Sequence, residues 1–259
     1  MPKASSAPVR QKAGYSINSV ENALDLLEAI CDEGGEARIS QLSQRLGMNK
    51  TSVYRLLATF EGRGFVERSD DSVKYRLGLS AYEMGQKLLS RMGILRKARP
   101  AMERLARQCN ESVYFMVRRN DEVLLLDMID SAQQVKITPL TGQRFPLATT
   151  TIGGLFRAFG VPAESDGATP LGAADGLEAI RLRGVCIDEQ GFGEGVTCLA
   201  VPLLNAKGEI AAVLGLIGPA FRMSRERIEA ELVPQLKDAG HVISAGLGYL
   251  GHYLRRKTI

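Results

Sequence analysis

Between Asn49 and Arg68 the chain reads NKTSVYRLLATFEGRGFVER, and its apolar positions Val53, Leu56, Leu57 and Phe60 fall at i, i+3, i+4 and i+7. One stripe of a helix therefore faces a core. The opposite face of its first two turns carries Lys50, Thr51, Ser52, Tyr54 and Arg55: donors, cations and one aromatic, with no acid. Upstream, Val20, Ala23, Leu24, Leu27, Ile30 and Cys31 recur at helical spacing, with Ser19 as the expected start and Gly34–Gly35 as the stop. A second short helix, ISQLSQRLG, places Ile39, Leu42 and Leu46 inward behind Ser40 as N-cap. Gly47, Met48 and Asn49 form the turn into the third helix, which Asn49 caps and Gly62 and Gly64 end. Two short helices joined by a glycine-containing turn predict a helix-turn-helix. FVERSDDSVKYRLG then alternates, with Phe65 or Val66, Val73, Tyr75 and Leu77 on one face and SDDS at the tip, which predicts a two-stranded wing.

Beyond Gly78, the segment GLSAYEMGQKLLSRMGI is helix-competent and offers Leu79, Tyr82, Leu88, Leu89 and Met92 for packing. SVYFMVRRNDEVLLLDMID reads as a hairpin around Arg-Asn-Asp, and QQVKIT as a further short strand. TIGGLFRAF and GLEAIRLRG read as helices. VTCLAVPLL and EIAAVLGLIG read as two buried strands around Asn-Ala-Lys-Gly. A long closing helix follows, with a kink expected at Pro234. Strands, then helices, then strands predict a mixed sheet with helices on its faces, an α+β chain. The expected divisions are a disordered arm at 1–14, a winged helix-turn-helix domain at 15–78, a linker helix at 79–94 and a second domain at 95–259.

Charge sharpens this picture. Residues 38–76 hold eight bases and four acids, a net +4 that equals the formal charge of the whole chain. The third helix of a winged helix lies in the major groove of DNA. Lys50, Thr51 and Ser52 stand at the positive end of its dipole, where they and the backbone amides can meet phosphates. Tyr54 and Arg55 project from the next turn, and Arg55 can read guanine O6 and N7 with both ends of its fork. Arg38 and Lys74 complete the predicted DNA-binding set. The same pattern also fits winged helices that contact only protein.

Other chemistry is poorly provided for. The four cysteines, Cys31, Cys109, Cys186 and Cys198, are scattered without a CxxC pair, which fits a reducing, cytoplasmic setting rather than a disulfide framework. No apolar run approaches a membrane span, and the N-terminus lacks the apolar core of a signal peptide. His241 and His252 are the only histidines and sit in no metal-ligand pattern. GFGEG at Gly191–Gly195 is not a phosphate loop, since it precedes a strand and lacks the GxGxxG form. Neither an enzyme, nor a metal site, nor a cofactor is expected. The remaining alternative is a ligand-binding or enzymatic module whose winged helix serves protein contacts only.

The segments SVENALDLLEAI, ISQLSQRLGMNKTSVYRLLATFEGRGFVER, KYRLG, ARPAMERLARQCNESVYF, TGQRFPLATTTIGGLFRAF and RLRGVCIDEQGFGEGVTCLAVPLLNAKGEIAAVLGLIGPAFRMSRERI resemble, in order and spacing, the IclR family of bacterial transcription regulators. The resemblance implies a C-terminal GAF/PAS-like α/β effector-binding domain behind the winged helix and a linker helix. It also implies homodimers, paired as dimers of dimers on double-stranded operator DNA, with repression favoured over activation. Position by position it implicates Thr151 and Ile152 (backbone amides at a helix start), Asp188, Cys198, Gly215 and Ile217 around a small organic effector. Members that sense small polar acids carry hydroxyl residues where this chain has Gly215 and Ile217, and a histidine where it has Ala148. An apolar pocket cannot offset the desolvation of a small, highly charged ligand, so a hydrophobic or aromatic effector is expected.

Overall fold

The structure is a computed structural model and describes residues 17–32, 35–69, 73–148, 150–160, 174–189 and 192–251. The N-terminal arm, Gly34, most of the wing tip and His252 lie outside the described residues. The chain divides into two compact units, Met1–Arg91 and Met92–Ile259.

In the first unit, α1 (Asn18–Asp32), β1 (Glu36–Arg38), α2 (Ile39–Leu46), α3 (Lys50–Gly62), β2 (Val66–Arg68) and β3 (Lys74–Leu77) precede α4 (Leu79–Arg91). Their core gathers Leu26, Ile30, Ala37, Leu42, Val53, Leu57, Val66 and Tyr75. The α3 stripe faces inward as predicted, with Leu56 and Phe60 packed against the same core. Asn49 caps α3 through its side-chain oxygen, which accepts from the Ser52 amide at 2.8 Å. Gly47, at φ 64°, makes the left-handed turn between α2 and α3.

Four expectations shift. Helix α1 begins at Asn18, so Ser19 lies within it, and its buried face is Leu26, Ala29 and Ile30, while Val20, Leu24 and Cys31 are exposed. The N-cap of α2 is Arg38 rather than Ser40, and the Gln41 side chain accepts from the Arg38 amide at 2.8 Å. The wing gains a third strand, because β1 pairs antiparallel with β3, giving the order β1-β3-β2. Helix α4 buries none of its side chains, and Leu79, Tyr82 and Leu88 are exposed.

The second unit opens with α5 (Gly93–Cys109) and the hairpin β4 (Ser112–Arg119) and β5 (Glu122–Ile129), whose turn holds Asn120 at φ 57°. Then come β6 (Arg144–Pro146), α6 (Thr151–Ala158), α7 (Ala174–Arg183), β7 (Cys186–Asp188), β8 (Val196–Leu204) and β9 (Ile210–Pro219). The six strands lie in the order β6-β5-β4-β9-β8-β7, and every pairing is antiparallel, so the sheet is not mixed. QQVKIT is not a strand; the edge of β5 is occupied by β6, with the Gly142 amide donating to the Leu125 carbonyl and the Leu125 amide donating to that of Gln143.

A 3-10 turn at Ala220–Arg222 and one helical turn, α8 (Arg225–Arg227), lead into π geometry over Ile228–Leu232 and then α9 (Val233–Gly246). Pro234 sits in the first turn of α9, directly after the π geometry, so its missing amide falls where the regular helical bonding is already interrupted. Helices α5 and α9 pack on the face bearing Val201, and α6 on the face bearing Cys198 and Ala200. Both faces are covered, which is why β8 and β9 read as near-continuous apolar runs.

Candidate functional site

The first unit presents a concave face of about 610 Å³ lined by Arg38, Ser40, Lys50, Thr51, Tyr54 and Arg68, with Ile39, Val73 and Tyr75 as its apolar part. Burial of Val53 and Leu57 turns Lys50, Thr51, Tyr54 and Arg55 outward, and all four are exposed. Thr51 and Arg55 are four residues apart and so stand one above the other on α3. Strand β1 places Arg38 beside the first turn of α3. Ser52 is half-buried, its amide held by the Asn49 cap.

Arg68 joins this face although the sequence did not single it out. Cross-strand register sets it opposite Tyr75, its guanidinium lies 5.4 Å from the ring centroid, and its Nη2 donates to the tyrosine hydroxyl at 3.1 Å. Such a cross-strand pair is invisible until the wing register is known. The Lys74 ammonium is ion-paired with Glu36 at 3.2 Å, and Ser69 donates to the same carboxylate at 2.9 Å. The hydrogen bonds from Ser69 and then Lys74 hold the Glu36 carboxyl below its usual range. Lys74 is therefore tied into the three-stranded sheet.

In the second unit, the six positions implied for the effector divide into two groups. Thr151 and Ile152 open α6, where first-turn amides have no acceptor inside the helix. Thr150 caps that start, accepting from the Gly153 amide at 3.1 Å and donating to the Pro146 carbonyl at 2.8 Å. Asp188 lies at the end of β7, not in a loop, and pairs in register with Cys198, which in turn faces Ile217. Cys198 and Ile217 are buried in one apolar cluster with Ile152.

Gly215 is where expectation fails. A position around an effector needs room for it, but a Cβ at Gly215 would lie 2.1 Å from Tyr114 Cζ and 2.5 Å from the Leu199 carbonyl oxygen. The Tyr114 ring fills the position, and its hydroxyl donates to the Leu199 carbonyl at 3.1 Å. Phe192 packs on Tyr114 and, edge to face, on Phe145. An isolated glycine inside an apolar strand is the signal that could have found this close approach.

Burial pushes the Tyr114 hydroxyl and the Cys198 thiol well up, and neighbouring ionisable groups add to this. Burial, with the Asp188 charge behind it, pushes the Cys186 thiol from 9.0 up to about 12. In the unfolded chain that thiol ionises near its ordinary value, so between these pH values the unfolded state binds fewer protons. Stability is expected to fall as pH rises through that window, by up to about 1.4 kcal/mol per pH unit for this group. Urea midpoints compared at pH ~9 and ~11 should fall less steeply for Cys186→Ala than for the parent. Equal slopes would reject the assignment.

A cavity of about 260 Å³ opens beside this cluster, between α6, α7 and β7. Thr151, Gly154 and Arg157 line it from α6, Leu177, Ile180 and Arg183 from α7, and Cys186 and Ile187 from β7. Arg157 Nε and Nη2 are shut off from solvent and have no hydrogen-bond partner. Among the described residues, no three His, Cys, Asp or Glu side chains gather as metal ligands, and no helix is long and apolar enough to cross a membrane.

Known proteins match this arrangement along its length. A family model for the IclR helix-turn-helix domain matches residues 19–70, and one described as bacterial transcriptional regulator IclR C-terminal matches residues 86–245. The HTH-type transcriptional regulator KdgR of Escherichia coli (strain K12) is 30% identical over 249 residues, covering 90% of this chain and 94% of its own. The DNA-binding transcriptional repressor YiaJ of the same organism is 26% identical over 249 residues, covering 89% and 88%. The crystal structure of an IclR transcriptional regulator from Alicyclobacillus acidocaldarius shares the fold, with a TM-score of 0.75 at 23% identity, covering 89% of this chain and 99% of that one.

Proposed function

The chain belongs to the IclR family of bacterial transcriptional regulators, and from that premise we propose that it represses transcription by holding an operator until a small organic effector with an apolar body binds its second unit. The observation that carries the DNA-binding half is the convergence of Arg38, Lys50, Thr51, Tyr54 and Arg68 on one concave face. Arg55 projects beside it from the same helix. That face matches the polyanionic backbone and the base edges of a major groove. Repression is supported by the relative described as a repressor. The apolar cluster of Ile152, Cys198 and Ile217 supports an effector with an apolar body. The exposed apolar side chains of α4 and of α1, Tyr82, Leu88, Val20 and Leu24, support a homodimer and, through it, a dimer of dimers on DNA.

A salt titration of operator binding tests the core of this reading. Log K should fall linearly with log salt, whereas a winged helix confined to protein contacts gives no operator complex to titrate. Two substitutions separate the roles on α3. Arg55→Ala should cost roughly 1–3 kcal/mol of specific binding by removing a base contact. Lys50→Ala should weaken specific and non-specific DNA about equally and lower the salt slope by about one. Unchanged operator affinity in Arg55→Ala would remove that residue from the interface.

A further inference from the structure

We propose that Tyr75, a core residue of the winged helix, also serves as a positioning residue: it holds Arg68 ready for a backbone phosphate of bound DNA, together with Lys50 of α3. This deepens the proposed function and rests on its reading of the first unit as a DNA-binding domain.

Arg68 ends β2 directly across from Tyr75 on β3, so the two side chains share one face of the wing sheet. Tyr75 is 2% exposed and belongs to the core with Val53 and Leu57, the buried stripe of α3. That face of the sheet therefore turns towards α3, and it carries Arg68, itself exposed, to the same concave face as Lys50 and Thr51. There the guanidinium stacks 5.4 Å from the tyrosine ring centroid, and its Nη2 donates to the hydroxyl at 3.1 Å. The other cations of the wing are held differently. Lys74 pairs with Glu36 at 3.2 Å and Arg76 with Glu67 at 2.7 Å. Among the described residues, no carboxylate pairs with Arg68; a neutral ring and hydroxyl hold it, so its charge is not neutralised. A long side chain fixed in this way before binding loses less rotamer freedom when DNA arrives.

The surroundings favour phosphate over a base edge. The concave face gathers Arg38, Lys50 and Arg68 and no acid. Lys50 and Thr51 lie in the first turn of α3, where backbone amides lack acceptors inside the helix and the dipole favours an anion. A base edge offers acceptors but no charge, and so cannot balance three cations; the phosphates of one strand can. Arg55, the candidate for base reading, does not line this face.

Salt titrations of the full chain with AT-rich and GC-rich duplexes of unrelated sequence test the assignment. Arg68→Ala should weaken binding to both about equally and lower the slope of log K against log salt by about one. Tyr75→Phe keeps the ring and removes only the hydroxyl; it should weaken both by about threefold or more, the scale of one hydrogen bond. In the Arg68→Ala background the same change should have no further effect on DNA binding. Arg68→Lys should keep the parent slope but bind more weakly, since an ammonium cannot stack and fork in the same way. This variant also tests the positioning if Tyr75→Phe fails to fold. A Tyr75→Phe loss of equal size without Arg68, or full parent affinity in Arg68→Lys, overturns the positioning role. A loss confined to one duplex would mean base reading and overturns the phosphate contact. A parent slope retained in Arg68→Ala discards that contact alone, whereas a parent that binds no duplex discards the DNA-binding reading itself.

Discussion

Gly215→Ala is expected to destabilise the second unit by roughly 3 kcal/mol or more, the upper end of what overpacking costs. The added methyl group would sit 2.1 Å from the Tyr114 ring and 2.5 Å from a backbone carbonyl oxygen of the neighbouring strand. Neither neighbour is the loose end of a flexible chain. Tyr114 is fully buried and its hydroxyl is bonded to Leu199, and Leu199 lies in β8, paired on one side with β9 and on the other with β7. Larger residues at 215 should do at least as much harm.

A double-mutant cycle identifies the cause. If the ring is the obstacle, Tyr114→Leu should already carry much of the cost, and adding Gly215→Ala should then cost about 1–3 kcal/mol less than in the parent. Urea unfolding followed by near-ultraviolet signals reads the second unit, while the winged helix keeps its own core around Leu26, Val53 and Tyr75. A Gly215→Ala midpoint equal to that of the parent would show that Tyr114 does not occupy this space.

The contrast between Gly215 and Val53 explains what could be read from the sequence. Val53, Leu56, Leu57 and Phe60 make a single stripe, and Asn49 and Gly47 are local signals, so α3 and its outward residues were legible. In α1, apolar residues follow two overlapping stripes, one through Val20, Leu24 and Cys31 and another through Leu26, Ala29 and Ile30. Periodicity does not choose between them; contact with α2 and the wing sheet does. Strands β1 and β7 are three residues each, too short for alternation to register. Tyr114 against Gly215 and Arg68 on Tyr75 depend on partners brought from elsewhere in the chain, and no local pattern encodes that proximity.

Glu111→Ala is expected to cost about 3–5 kcal/mol, because it removes the buried carboxylate shared by two arginines, leaving Arg222 without that partner and Arg227 with only its 3.4 Å pair to Glu231. Glu111 is 1% exposed and takes Arg222 in a bidentate grip, Nε at 2.9 Å and Nη2 at 2.7 Å, while Arg227 Nη1 donates to it at 2.9 Å. The hydrogen bonds to Glu111 push the Arg222 guanidinium further up, and a guanidinium stays charged in a protein even when that partner is lost. The same arginines bind backbone: Arg222 donates to the Val135 carbonyl, and Arg227 to those of Cys109 and Arg222. The cluster thus fastens the end of α5, the loop after β5 and the turn before α8 around one carboxylate. Glu111→Gln keeps the acceptor oxygen without the charge and should cost less than Glu111→Ala. Adding Arg222→Met to Glu111→Ala should recover part of the loss, since one stranded charge is then gone. Urea midpoints of the three variants decide the matter. A loss below about 0.5 kcal/mol in Glu111→Ala, the scale of an ordinary surface substitution, would mean that water satisfies both arginines and that the cluster holds nothing together.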